Sequence, residues 1–322
     1  MLYAGLDLGT YLFRFVLARK NLKMANKFEV IKSDTIVINF GIMEPGKMIS
    51  EPVTQRMERA FSKVKDYIAP FDVKLRCVGT AALRYSPMAS DVIENLSEKF
   101  GIHVEIISPA EEIYLAALGC QKYIASDAVV IDIGSGSSEL AYVIKTPSGI
   151  EVRDYVSLNL GLLNNLTTAK IREEEFTKLE NFAIKYQNKS VVCSKCTTLK
   201  IAYNYFHKKN QAHLNGKMLE MADLKFSLNE FYKMKNDFLR GVPGIGARQV
   251  KLVKVGLPWV HEILHRLRCK QVMLCENGLK EGIVLDLMSR FGEFNHASVK
   301  ENSKLSYSKK LQNQISKWIN IE

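Results

Sequence analysis

Two short segments repeat one pattern: Leu6-Asp7-Leu8-Gly9-Thr10, and Ile131-Asp132-Ile133-Gly134-Ser135, with Asp132 standing 125 positions after Asp7. Each Asp closes an apolar run and is followed by glycine and a hydroxyl residue. Each lies in a strand–turn–strand pattern, the first over residues 2–8 and 12–18, the second in AVVIDIGSGSSELAYVI. Duplication of a supersecondary unit predicts two similar domains facing each other. The 322 residues exceed what one typical core supports, in keeping with two domains.

The repeated residues suit anion chemistry. Glycine lets the backbone approach an anion closely, and successive turn N–H groups form an anion-binding concavity. A strand-end Asp binds Mg²⁺, and the metal bridges phosphate oxygens. One such turn would be an ordinary hairpin; two point to phosphate. The candidate phosphate-binding residues are Gly9 and Thr10 in the first loop and Gly134, Ser135, Gly136 and Ser137 in the second. Asp7, Asp132 and Glu139 are the candidate metal ligands, Glu139 because it lies seven residues past Asp132, across the hairpin.

Elsewhere the patterning predicts strands at 25–39, 73–79, 102–107, 141–145, 150–158 and 271–275, with another beginning at 190–193. Helices are expected at 51–68, 87–100, 109–123, 173–187, 227–238, 251–267 (bent near Gly256 and Pro258) and 279–290. The last 30 residues are basic, with an amphipathic pattern around Leu311, Ile315 and Ile319. Mixed hairpins and crossovers make the class α/β. The domains are placed at 1–120, completed by a C-terminal helix at about 297–322, and at 121–296.

The net charge of +11 attracts polyanions, or reflects a lysine-rich surface with no specific partner; the even spread of basic residues leaves both open. No helix-turn-helix, zinc finger or aromatic-basic RNA signature marks a nucleic-acid binder. No apolar run reaches the roughly 18 residues that span a bilayer. The N-terminus lacks the pattern of a signal peptide, so no membrane association and a cytoplasmic location are expected. Cys193 and Cys196 form a lone CxxC, better read as buried thiols than as a zinc site.

The motifs, taken in order, resemble the exopolyphosphatase and guanosine pentaphosphate phosphohydrolase (Ppx/GppA) family, within the actin-like ATPase (ribonuclease H-like, ASKHA) superfold. Asp7 to Thr10 is similar to its first phosphate loop and Asp132 to Glu139 to its second. Val78 to Arg84 resembles the segment that supplies a phosphate-binding arginine, which would be Arg84. Ile106 to Glu112 resembles the acidic segment, with Glu112 at the catalytic position. Gly278-Leu279-Lys280-Glu281-Gly282 resembles a signature near the end of the second domain. The resemblance implies two actin-like domains with an interdomain cleft, Mg²⁺ as cofactor, and removal of terminal phosphate from polyphosphate or guanosine pentaphosphate. It also implies the short, two-domain type. Members often dimerise, so a homodimer is among the expectations.

The chain departs from the family pattern at Tyr11 and Leu12, where Asn and Ser are usual, at Met88, where Asn is usual, and in the glycine-free segment 193–198. These departures motivate an alternative: a weak or inactive member that binds polyphosphate or an alarmone as a sensor or partner subunit. A sugar or acyl kinase of the same superfold would need an adenosine site, against which the segment 193–198 speaks.

Overall fold

The computed structural model describes residues 1–21, 28–41, 49–84, 86, 89–163, 169–195, 197–209, 213–242 and 245–292. In chain order the first half comprises β1 (Leu2–Leu8), β2 (Leu12–Lys20), β3 (Phe28–Val37), α1 (Glu51–Ile68), β4 (Val73–Gly79), α2 (Ala81–Arg84), α3 (Ala89–Phe100), β5 (Val104–Ile106) and α4 (Pro109–Cys120). The second comprises β6 (Asp127–Ile133), β7 (Ser138–Thr146), β8 (Gly149–Leu158), α5 (Ala169–Tyr186), β9 (Val191–Ser194), α6 (Thr197–Phe206), β10 (Lys217–Glu220), α7 (Met221–Lys233), α8 (Asn236–Arg240), α9 (Ala247–Lys251), α10 (Leu257–Arg266), β11 (Gln271–Cys275) and α11 (Leu279–Arg290).

The first sheet runs β3-β2-β1-β4-β5. The second, taken from its β8 edge, runs β8-β7-β6-β9-β11, with β10 added beyond. The two orders are the same. In each, an antiparallel hairpin is continued by parallel strands. Two ribonuclease H-like sheets face each other, the arrangement of the actin-like ATPase superfold.

Three apolar clusters hold the layers. One packs α1 and α3 on the first sheet through Met57, Phe61, Val64 and Leu96. A second packs α5, α6, α7 and α10 on the far side of the second sheet. The third lies between the sheets and joins Tyr3, Val16 and Val78 of the first to Val130, Ala141 and Val192 of the second. Helices α4 and α11 fill this middle layer. The chain exchanges them: α4 packs on β6 to β9, and α11 packs on β1, β2 and β4. Glycine permits the close crossing. A Cβ on Gly282 would lie 1.8 Å from the Leu115 carbonyl oxygen, and one on Gly119 would lie 2.3 Å from that of Gly278.

Most predicted elements stand within a few residues of their places, and some differ. The helix expected at 227–238 is two helices, α7 and α8, separated at Met234 and Lys235. The bend near Gly256 is a turn of π-helix over Leu252–Gly256, where a Cβ would meet Leu162 Cδ2 at 2.7 Å. Helix α6 and strand β10 have no counterpart among the predictions. The former is rich in Thr and Tyr, poor helix formers whose burial decides the outcome. The latter is four residues at a sheet edge, too short to show alternation. Met88, Cys196 and the tail from residue 293 lie outside the described residues. Among the described residues no helix is long and apolar enough to cross a membrane.

Candidate active site

Both repeated hairpins turn the same way. Gly9 N–H donates to the Leu12 carbonyl at 3.0 Å, and Gly134 N–H to that of Ser137 at 3.0 Å. These two amides are therefore occupied by the turns, and glycine serves there for its shape. The first loop is held by the N–H groups of Ile38, Asn39 and Phe40, which donate to Tyr11 and Thr10 carbonyls. The second is held by Leu162 N–H and Leu163 N–H, which donate to the Gly134 and Ser135 carbonyls. Beneath it, Trp259 Nε1 donates to Ser138 Oγ at 3.0 Å, and Ser138 Oγ to the Leu160 carbonyl at 2.6 Å. The loops meet across the cleft: a Cβ on Gly136 would lie 2.5 Å from Thr10 Oγ1.

The cleft lies at the carboxyl ends of β1, β4, β6 and β9, the usual ligand side of such sheets. It is lined by Asp7, Gly9, Thr10, Tyr11, Leu12, Arg14, Thr80, Glu112, Asp132, the loop from Gly134 to Ser137, Lys195 and Leu279. Arg84 and Glu139 stand directly behind. Arg84 Nη1 donates to Glu112 Oε2 at 2.7 Å and to the Ile107 carbonyl at 3.0 Å, and its Nη2 lies 3.7 Å from Glu139 Oε1. All eleven residues proposed from the sequence thus gather around one cleft.

Local sequence explains the placement. Ser108 caps α4, its side chain accepting from Glu111 N–H, and Pro109 starts the helix, which sets Glu112 in the first turn. Arg76 anchors this helix end: it bonds Glu105 and Glu111 and, on α11, Asp286. Arg84 is buried at the end of α2, just past β4. At the start of α11, Gly278 N–H donates to Glu281 Oε2 at 2.9 Å, which places Leu279 in the cleft wall.

Two charged cleft residues were not predicted. Arg14 donates to Asp7 Oδ2 at 2.8 Å from the facing position on β2. The seven-residue spacing that singled out Glu139 from Asp132 selects Arg14 when applied to Asp7. Lys195 follows β9, inside the glycine-free segment; its place in the cleft, one residue past the Ser194 that faces Asp132, comes from the β6–β9 pairing, which sequence spacing does not reveal.

The carboxyl groups crowd each other. Burial, with the charge of Glu112 second, pushes Asp132 up to about 7. Burial raises Glu112 against the opposing pull of Arg84. Burial and the Glu112 charge push Glu139 well above the carboxylate range. Burial lowers Lys195 to about 8.

Among the described residues no group of three or more His, Cys, Asp or Glu side chains is arranged as a metal cage. Mg²⁺ does not require one, since it keeps several waters and takes one or two carboxylates with substrate phosphates. Asp132 and Glu139 face each other across the β6–β7 ladder, and the charge of Glu112 opposes the ionisation of both, so a divalent cation would relieve the crowding and this donor pair fits one. Asp7 is already bonded to Arg14.

Comparison with known proteins agrees with this geometry. The model of the Ppx/GppA phosphatase family matches residues 34–291. The chain belongs to this family. The Ppx/GppA enzyme of Aquifex aeolicus is 22% identical, covers 89% of this chain and 99% of its own, and superposes with a TM-score of 0.71. An exopolyphosphatase from Cytophaga hutchinsonii is 17% identical, with 92% and 100% covered and a TM-score of 0.77. At these identities the likeness is one of fold. The Ppx/GppA match takes in Arg84, Glu112, Asp132 and Glu139 and begins after the first Asp-Gly loop.

Proposed function

We propose that this member of the Ppx/GppA phosphatase family is a Mg²⁺-dependent phosphohydrolase that releases terminal phosphate from inorganic polyphosphate or guanosine pentaphosphate. The observation that carries the reading is Glu112, buried in the cleft wall, held by Arg84 and facing both Asp-Gly loops. Hydrolysis of a phosphoanhydride requires charge neutralisation and an in-line water. Glu112 orients that water and takes its proton, a task suited to a carboxylate whose pKa burial raises. Arg84 fixes the Glu112 carboxylate in place. Arg14 and the second loop receive the phosphoryl oxygens. Asp132 and Glu139 would hold Mg²⁺, which supplies further neutralisation of phosphate charge when bound.

Tyr11 and Leu12 on the cleft wall favour a second reading, a protein that binds the same anions without turnover. Phosphate release from polyphosphate and from guanosine pentaphosphate, with Mg²⁺, decides between them. The Glu112→Gln variant is expected to be slower by roughly 10²–10⁴-fold. Equal rates in parent and variant would remove the hydrolase reading. Calorimetric binding without turnover in the parent would establish the second.

A further inference from the structure

We propose that Lys195 is a substrate-binding residue that pairs with the phosphate on the leaving-group side of the scissile bond. The inference rests on the reading of the cleft as a phosphoanhydride site and adds to it the side on which the rest of the substrate lies.

Lys195 lines the cleft, yet its Nζ exposes less than 1 Å² and has no hydrogen-bond partner among the described residues. An unpaired buried ammonium is costly, which singles this one out for a partner that arrives from outside. Glu281, a nearby acid, is engaged by Gly278 N–H and by Lys280. The backbone adds a second observation. Lys195 has φ of +43°, in the left-handed region that favours glycine, and its N–H is held by the Cys275 carbonyl at 2.7 Å. Glycine would relieve the backbone here, so the lysine side chain is kept at a conformational cost.

Strand register then gives the direction. Ser194 faces Asp132 on one side, and Glu139 faces Asp132 on the other. With strands about 4.8 Å apart, the sheet end presents a row about 10 Å long. Glu139, with Arg84 and Glu112, stands at one end of it, and Lys195 follows the strand at the other. A phosphoryl group attacked from the Glu112 end expels its leaving group toward Lys195, because attacking and leaving oxygens lie in line. A fixed cation there offsets charge that develops on the leaving oxygen.

The test is calorimetric titration with tripolyphosphate and with orthophosphate, in a Glu112→Gln background so that the ligand persists. Lys195→Met and Lys195→Gly should each weaken tripolyphosphate binding by roughly 10- to 100-fold, the loss of one charge-assisted contact. Orthophosphate, which occupies only the attacked position, should bind them as it binds the parent. Lys195→Gly should match or exceed the parent in melting temperature, so that its loss of binding is not a loss of fold. Unchanged tripolyphosphate affinity would overturn the role of Lys195 alone. Equal weakening for both ligands would overturn its leaving-side position. If the Glu112→Gln parent binds neither tripolyphosphate nor guanosine pentaphosphate, the phosphoanhydride reading fails and takes this inference with it.

Discussion

Asp132 carries the cost of the site most plainly. Burial, and after it the charge of Glu112, pushes its pKa from near 3.8 up to about 7. Its folded value lies above its unfolded one, so between these the native state binds more protons. Stability must fall as pH rises from about 4 to 7, and the penalty is then constant. Asp132→Asn removes it. With chelator present, the variant should be more stable than the parent at pH 8 by about 2 kcal/mol, and close to it below pH 4. Urea unfolding at the two pH values measures this, and a variant no more stable at pH 8 would show that the carboxylate is compensated. The same residue illustrates what the sequence made legible. Asp132 and Glu139 stand out by spacing, because a hairpin turns seven positions into direct opposition. Arg14 obeys the same rule toward Asp7 but does not stand out, since an arginine seven positions from an acid carries no metal-binding pattern. Lys195 is placed by no local rule.

At the scale of elements, the crossing of α4 and α11 sets the site. The signature Gly278 to Gly282 is recognisable in the sequence, but its physical reason is not, because the partner helix lies more than 150 positions earlier. Gly282 has no room for a side chain against the Leu115 carbonyl, and Gly119 has none against Gly278. Gly282→Ala should therefore force the helices apart and destabilise the protein by about 3 kcal/mol. Gly101 gives the contrast. Its φ is +67° and a methyl group there would meet nothing within 4 Å, so Gly101→Ala should cost only about 1 kcal/mol through the backbone. Since α4 bears Glu112 and α11 bears Leu279, Gly282→Ala should also lower phosphate release in protein that remains folded. Denaturant midpoints and rates of both variants check this; similar stability for the two would deny the tight crossing. Elements with strong periodicity, such as α1, are legible to the residue. Helix α6 is not, because its Thr- and Tyr-rich sequence becomes helical only by burying Leu199, Ile201 and Tyr203.

At the scale of the whole molecule, the repeat of two loops becomes two halves that touch. The exchanged helices α4 and α11 join the halves, while Thr10 and Gly136 meet across the cleft. Between them the cleft is narrow, with about 40 Å³ open to the centres of water molecules. Because Thr10 and Gly136 approach so closely, the loops are expected to separate to admit a phosphoanhydride chain. A cross-link between them tests this. A Cβ on Gly136 would lie 3.3 Å from Thr10 Cβ, near the spacing of about 3.8 Å that a disulfide prefers. The five cysteines among the described residues are all buried, which favours oxidation at the introduced pair. The double variant Thr10→Cys, Gly136→Cys should lose tripolyphosphate binding and phosphate release when oxidised, and recover both on reduction to the level of its own dithiol form. That form is the proper reference, because both substitutions fall in the loops themselves. If the oxidised protein, with its cross-link verified by mass, works as fast as the reduced one, substrate enters without parting the loops. The closed cleft would then be the binding state itself.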